Sequence, residues 1–232
     1  PGKLFPSQIT MSALQKAGPV KGLAPEYLAG LSFYILGNAY LALAEEDVGE
    51  DGAEDGQEGM ENCRKALEAY NNALQIYSRE EFPRLYATAQ NNLANVYLTL
   101  GQRVDKAGMC MKAIRAAQEA LCVFSTEDSP EDYAEAKGSL WLAHLTLADI
   151  EYRAENCSLA LEACEERLES YRAWAAQPLQ FASCCKDVAI TAIMLADMEI
   201  SVQAKAEDCK KAISAALESL QIYNVRIHPE EY

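Results

Sequence analysis

Small and apolar residues recur at fixed offsets around four cysteines. Cys63, Cys110 and Cys157 are 47 residues apart, and Cys209 follows 52 residues later. In every unit alanine lies three residues after the cysteine, leucine or isoleucine four, leucine eleven, and tyrosine or phenylalanine fourteen. These offsets place the side chains on one face of a helix. The pattern therefore predicts a long helix in each unit, with the cysteines as small packing residues on its buried face.

A second helix is predicted after each of the first three. It begins with a proline that has an aromatic residue three positions later, at Pro83, Pro130 and Pro178. Proline suits the first turn of a helix, because its missing N–H has no partner to lose there. Ser129 is expected to cap the helix that starts at Pro130. The segment 26–44 aligns with the helix that follows Pro83 and supplies this element for the first unit.

The repeat sets the predicted domain organisation. Two-helix units cannot bury their faces alone, and stacking them makes a continuous core. We therefore predict an all-α array over residues 25–232, with a repeat length of 47–52 residues, preceded by a segment 1–24 with room for one short helix. Residues 45–59 are acidic and glycine-rich, which predicts a solvated loop. Residues 228–232 repeat the start of a proline-led helix, which predicts that the last repeat is truncated there.

Composition and charge exclude several classes of protein. Of the 232 residues, 50% are apolar, which is enough to fold without a metal or a disulfide. No apolar run reaches about 18 residues and no secretory signal is visible, so we expect a cytoplasmic protein without a membrane span. The net charge of −15 argues against binding to nucleic acid or an anionic membrane, although residues 45–59 supply eight of the acids. The chain does not begin with methionine, and we expect it to be part of a longer protein.

The helix pairs resemble tetratricopeptide repeats. Leu36-Gly37-Asn38-Ala39-Tyr40 and residues 91–97 look like the first-helix motif of that family, and the Ala-Leu pairs at 66–67 and 73–74 are similar to its second-helix motif. The long units are also similar to those of kinesin light chain. The resemblance implies a right-handed α-solenoid of antiparallel helix pairs. The chain departs from the family in its repeat length, which is 34 residues there, and in Trp141 and Ala189, which replace the motif's glycine.

Catalytic chemistry is sparse in this sequence. His144 lies on an apolar helix face and is expected to be packed, and His228 lies near the end of the array. The eight cysteines lack metal-ligand spacing and are expected to be reduced and mostly buried. Cys184 and Cys185 form the one adjacent pair, but neighbouring helix positions point apart. We therefore predict no enzymatic activity, no cofactor and no metal site.

The resemblance also implies that the first helix of each pair lines a concave groove that contacts a protein ligand. The residues carried over to this groove are Asn38, Asn91, Asn92, Asn95, Thr88, Glu135, Ser139, Lys186 and Asp187. The asparagines can serve a peptide backbone, because a carboxamide both donates and accepts. The alternative is that they bond within the helix pairs or face water. Lys186 is the one base in this set, so we expect a basic or amphipathic ligand rather than an acidic tail.

The predicted function is that of a protein–protein interaction scaffold. A partner protein or peptide would bind in the groove. One alternative is self-assembly into a homo-oligomer through the ends of the array, because terminal repeats need polar caps. The other is a regulatory domain of a larger enzyme.

Overall fold

The computed structural model describes residues 25–46, 56–174, 178–198 and 201–227. These residues form eight α-helices and no strand, which confirms the predicted all-helical class. The helices are α1 (Pro25–Glu46), α2 (Gly56–Ile76), α3 (Pro83–Gly101), α4 (Lys106–Leu121), α5 (Pro130–Ala148), α6 (Arg153–Trp174), α7 (Pro178–Ala196) and α8 (Val202–Ile227).

Consecutive helices pack in pairs. Helix α1 packs on α2, α3 on α4, α5 on α6 and α7 on α8, and the second helix of each pair contacts the first helix of the next. Helix α3 also contacts α1 and α5 directly, so these first helices lie side by side. The arrangement fits a helical repeat built from hairpin-like units.

The prolines mark the helix starts as predicted. Helices α3, α5 and α7 begin at Pro83, Pro130 and Pro178. Ser129 occupies the N-cap position of α5, as expected, but its side chain makes no capping hydrogen bond. Its hydroxyl oxygen instead accepts from the backbone N–H of Ser125 at 3.2 Å.

Both ends of the acidic loop expected over residues 45–59 are helical instead. Helix α1 extends to Glu46 and α2 begins at Gly56. Glu58 lies in the first turn of α2, where a negative charge is stabilised by the helix dipole. Outside the described residues lie 47–55, the short helix expected in 1–24, and the truncated repeat at 228–232.

The repeated cysteine face forms the core, as predicted. Cys63, Cys110 and Cys157 are at most 1% exposed, and the alanines and aromatic residues at the repeated offsets of these three units are buried with them. In the last unit the pattern weakens: Cys209 is half-buried and Ile213 is exposed. The reason is that α8 has no later described helix packed on its outer face.

Thiol reactivity should follow this burial. All eight cysteines are free, and only Cys122 is exposed, while Cys209 is half-buried. Burial raises the pKa of the Cys63 and Cys157 thiols, which lowers the fraction of reactive thiolate. We expect pulsed alkylation of the native protein to label Cys122 first and Cys209 next, with the others labelled only after unfolding. Mass spectrometry of the labelled peptides measures this, and rapid native labelling of Cys63 would contradict it.

Two described helical segments are long and apolar enough to cross a membrane by length and composition. They are Tyr27–Glu46 and Pro178–Ala196, each with a mean hydropathy of 1.4. The second packs between α6 and α8, and half of its residues are buried, as in a core helix. Length and composition alone are weak evidence for a membrane span.

Candidate functional site

A pocket of about 370 Å³ lies among the first helices of the array. Its volume falls in the range of small-ligand sites, about 300–1,000 Å³. Seven of the nine residues predicted for the groove line it, whereas Asn38 and Lys186 do not. The lining residues are Tyr34, Thr88, Asn91, Asn92, Asn95, Leu98, Phe124, Asp132, Glu135, Gly138, Ser139, Trp141, Leu142, Arg167 and Asp187.

The carboxamides of Asn38 and Asn92 hold helices together. Asn92 Nδ2 donates to Asn38 Oδ1 at 2.9 Å and to the Tyr34 hydroxyl at 3.1 Å. The Tyr70 hydroxyl donates to the same Asn38 oxygen at 2.6 Å. Burial raises the pKa of both tyrosines, so their hydroxyls stay protonated. The sequence left open whether these asparagines bind a ligand or form hydrogen bonds within the protein. The side chains of Asn38 and Asn92 form hydrogen bonds within the protein, and these bonds join α1, α2 and α3.

The carboxamides of Asn91 and Asn95 meet at one hydroxyl. Ser139 Oγ lies 3.2 Å from Asn91 Oδ1 and 2.8 Å from Asn95 Oδ1. A hydroxyl has one proton, so it donates to one of these oxygens at a time. Neither amide nitrogen donates to a described residue. Among the described residues, Arg167 Nε is the one side-chain N or O atom that is both sealed from solvent and without a hydrogen-bond partner. Both amide nitrogens are therefore accessible to solvent. Unused donors and a shared proton therefore face the pocket.

A positive charge reaches the pocket from a second helix. Arg167 of α6 lies against Gly138, where a Cβ would come within 3.3 Å of the guanidinium. Its Nη1 donates to Asp187 Oδ2 at 3.3 Å, and its guanidinium lies 5.6 Å from the centre of the Tyr171 ring. Burial raises the pKa of Asp187, while Arg167 and Lys186, whose Nζ is 3.7 Å away, oppose that rise. The Arg167–Asp187 pair thus fills one side of the pocket.

Sequence reasoning missed Arg167, because it assigned the groove to the first helix of each pair. The repeat nevertheless contained a signal. Ten residues after the repeated cysteine the other units have small buried residues, namely Ala73, Ala120 and Ser219. A long side chain at that position, facing a glycine in the same unit, indicates a residue that crosses between the two helices.

Glu135 is the acid of the pocket without an ionic partner. The neighbouring Asp132 pairs with Arg84 at 2.7 Å, whereas the carboxylate of Glu135 pairs with no described residue. The side chain is open to solvent, but the surrounding wall removes part of its hydration. This desolvation, with the charges of Asp132 and Glu131, raises the pKa of Glu135 to about 7, against the opposing charge of Arg167.

Glu135→Gln should remove a pH dependence of stability. The pKa in the folded chain lies above the ordinary 4.5, so the contribution of the protonated form is complete below pH 4.5 and is lost as the pH rises through about 7. We expect the variant to match the wild type at low pH and to exceed it at pH 8, by less than about 1 kcal/mol because solvent screens the group. Thermal unfolding should then shift by up to about 2–4 °C.

Circular dichroism at the two pH values measures this difference. Glu127→Gln, in an exposed loop, is the matched control and should change neither value. A Glu135→Gln shift that is the same at both pH values would contradict the assignment.

The other chemical candidates are packed side chains. His144 is buried as predicted, and its Nδ1 lies 2.9 Å from Asn156 Oδ1. Cys184 contacts Cys164, with the sulfurs 4.0 Å apart, and Cys185 is also buried. Within the described ranges, no group of three or more His, Cys, Asp or Glu side chains is placed to hold a metal ion. His228 lies outside the described residues.

Comparisons with known proteins do not assign the chain to a family. The chain matches no protein-family model and no curated protein. The resemblance to tetratricopeptide repeats therefore rests on the sequence motifs, and function has to be argued from the pocket.

Proposed function

We propose that the chain is a protein-interaction module, a right-handed tetratricopeptide-like solenoid that binds a polypeptide segment of a partner along α1, α3, α5 and α7. The observation that carries this proposal is the pair of amide nitrogens of Asn91 and Asn95, which donate to no described residue and border the pocket. Asparagines at this four-residue spacing lie on one helix face. They can therefore donate to two carbonyl oxygens of one bound backbone.

Apolar side chains beside the amides suit the same ligand. Leu142 lines the pocket, and Ile190 occupies the equivalent position in the next unit. Both are exposed, at 40% and 45%. Binding sites commonly combine apolar walls with a few polar groups that fix orientation. A peptide with apolar side chains on one edge would bury both residues.

Peptide binding tests the proposal directly. Binders selected from a random-peptide library against the wild type should lose affinity about tenfold for Asn91→Ala/Asn95→Ala, because two hydrogen bonds are removed. Asn71→Ala is the matched control, since Asn71 is exposed on α2 and bonds to the Leu67 carbonyl. Circular dichroism confirms that the double variant is folded. Equal affinities for the wild type and a folded double variant, or a failure to select any binder, would refute the proposal.

Self-assembly has one observation in its favour. Helix α8 exposes Ile213, Leu217 and Leu220, which are all more than half exposed. Such a face suits a second copy of the chain. Light scattering over a concentration series distinguishes the two functions, because a constant monomer mass excludes assembly and a mass that falls to the monomer in Ile213→Glu/Leu217→Glu supports it.

A further inference from the structure

We infer that the pocket takes the side chain of one basic residue, lysine or arginine, of the bound segment, with Glu135 as its ionic partner. This inference rests on the proposed function and names the ligand side chain that the pocket recognises. Three features of the pocket support this inference: a lining carboxylate without an ion pair to a described residue, two amide oxygens that share one hydroxyl proton, and apolar walls.

One of the carboxylates that line the pocket has no ion-pair partner among the described residues. Three acids and one base line it, and two of the acids are paired: Asp132 with Arg84 at 2.7 Å and Asp187 with Arg167 at 3.3 Å. Glu135 is the third acid and pairs with no described residue. Asp187 has a second cation beside it, Lys186 at 3.7 Å, so the carboxylate without an ion pair to a described residue is that of Glu135 alone. A ligand cation would pair with it.

The amide oxygens of Asn91 and Asn95, which line the same pocket, could accept a further hydrogen bond. Asn91 is only 3% exposed, and its Oδ1 competes with Asn95 Oδ1 for the single proton of Ser139. At any moment, therefore, one of the two oxygens receives no proton from Ser139. Ser139 lies one helical turn after Glu135 on α5, and its hydroxyl oxygen is 3.3 Å from the backbone carbonyl oxygen of Glu135. An ammonium or guanidinium group offers several N–H donors, enough for the carboxylate and the free amide oxygen together.

The remaining walls fit the stem of such a side chain. Leu98, Trp141 and Leu142 line the pocket. Lysine and arginine pack their methylene stems on apolar surface while the charged head stays with polar groups. The pocket of about 370 Å³ offers room for a side chain rather than for a whole helix. An anionic ligand is disfavoured, because Arg167 already pairs with Asp187 and its Nε is sealed from solvent.

A peptide array separates this inference from the proposed function. The probes are immobilised nonapeptides with mixed flanks and a central arginine, lysine, leucine or glutamate. We expect the wild type to bind the arginine and lysine sets and Glu135→Gln to lose that preference. Binding to no set would refute the proposed function. If the wild type binds the leucine and glutamate sets as well as it binds the arginine and lysine sets, the proposed function stands and the basic-residue pocket is overturned.

A thermodynamic cycle then identifies Glu135. Replacing the basic residue of the best peptide with citrulline or norleucine should weaken wild-type binding about tenfold or more, and Glu135→Gln binding by much less. Glu127→Gln should behave as the wild type. A citrulline effect that is the same in Glu135→Gln as in the wild type would overturn the assignment.

The pH dependence is a second readout of the same pair. Wild-type affinity for the basic peptide should rise between pH 5.5 and 8.5, because Glu135 ionises in this interval, and Glu135→Gln affinity should stay flat. The charged groups around Glu135 are Glu131 and Asp132 on its own helix, Arg84 on α3, Arg167 on α6, and Asp187 with Lys186 on α7. The hydroxyls of Tyr34 on α1 and Tyr171 on α6 also interact with it and are unchanged in both proteins. Asp132 and Asp187 keep their cationic partners in both proteins, so their titration cancels in the comparison. A rise of the same size in both proteins would contradict the inference.

Discussion

Replacing Tyr70 with alanine should destabilise the first helix pair by about 3–5 kcal/mol. Tyr70 is fully buried, and its ring lies against Gly37, where a Cβ would come within 2.6 Å of the ring. Its hydroxyl donates to Asn38, which also binds Asn92 of α3. The cavity left by the ring cannot be filled from the facing helix, because Gly37 has no side chain.

Two further variants divide this effect between packing and hydrogen bonding. Tyr70→Phe keeps the ring and removes one donor to Asn38 Oδ1, which still accepts from Asn92, so it should cost only about 0.5–1.5 kcal/mol. Tyr152→Ala, at a tyrosine that is 71% exposed, should change stability little. Urea unfolding gives the totals, and hydrogen exchange of α1 and α2 peptides localises them, because repeat arrays can unfold in parts. If Tyr70→Phe costs as much as Tyr70→Ala, the packing argument is wrong.

The periodicity of the sequence predicted the helices and their buried faces because it reports burial directly. Cys63, Cys110 and Cys157 show this, since residues at one helical offset meet the same neighbour in each unit. The pairing of large with small residues across two helices was not predictable in the same way. Tyr70 needs Gly37 opposite it, whereas in the third unit the Gly37 position holds Trp141 and the Tyr70 position holds Cys164.

The sequence predicted which helix face lines the pocket but not the hydrogen bonds that its side chains form. The position of Asn91, Asn95 and Ser139 on the first helices of their pairs was enough to place them together. The internal role of Asn38 and Asn92 was left open, because it depends on a tyrosine hydroxyl from α2 and another from α1. Hydrogen-bond partners across helices depend on distances that a single sequence does not contain.

Replacing Arg167 with methionine should destabilise the second half of the array by about 3–5 kcal/mol. The reason is the carboxylate left behind: Asp187 is 7% exposed and would keep only the exposed Lys186, 3.7 Å away. Arg167→Met/Asp187→Asn should recover most of the loss, since the double variant buries no unpaired charge. Lys186→Met should cost little, because exposed ion pairs contribute less than about 1 kcal/mol.

The pH dependence distinguishes an unpaired charge from lost packing. Arg167 opposes the rise that burial causes in the pKa of Asp187, so Arg167→Met raises that pKa further. A raised pKa in the folded chain means that stability is retained at low pH, where Asp187 is protonated, and is lost as the pH rises. The loss of stability of Arg167→Met relative to the wild type should therefore be small at pH 4.5 and large at pH 8. The loss of stability of the double variant should be the same at both pH values. Thermal unfolding of the four proteins at both pH values measures it, and an Arg167→Met deficit that does not change with pH would show that packing, not charge, makes Arg167 necessary.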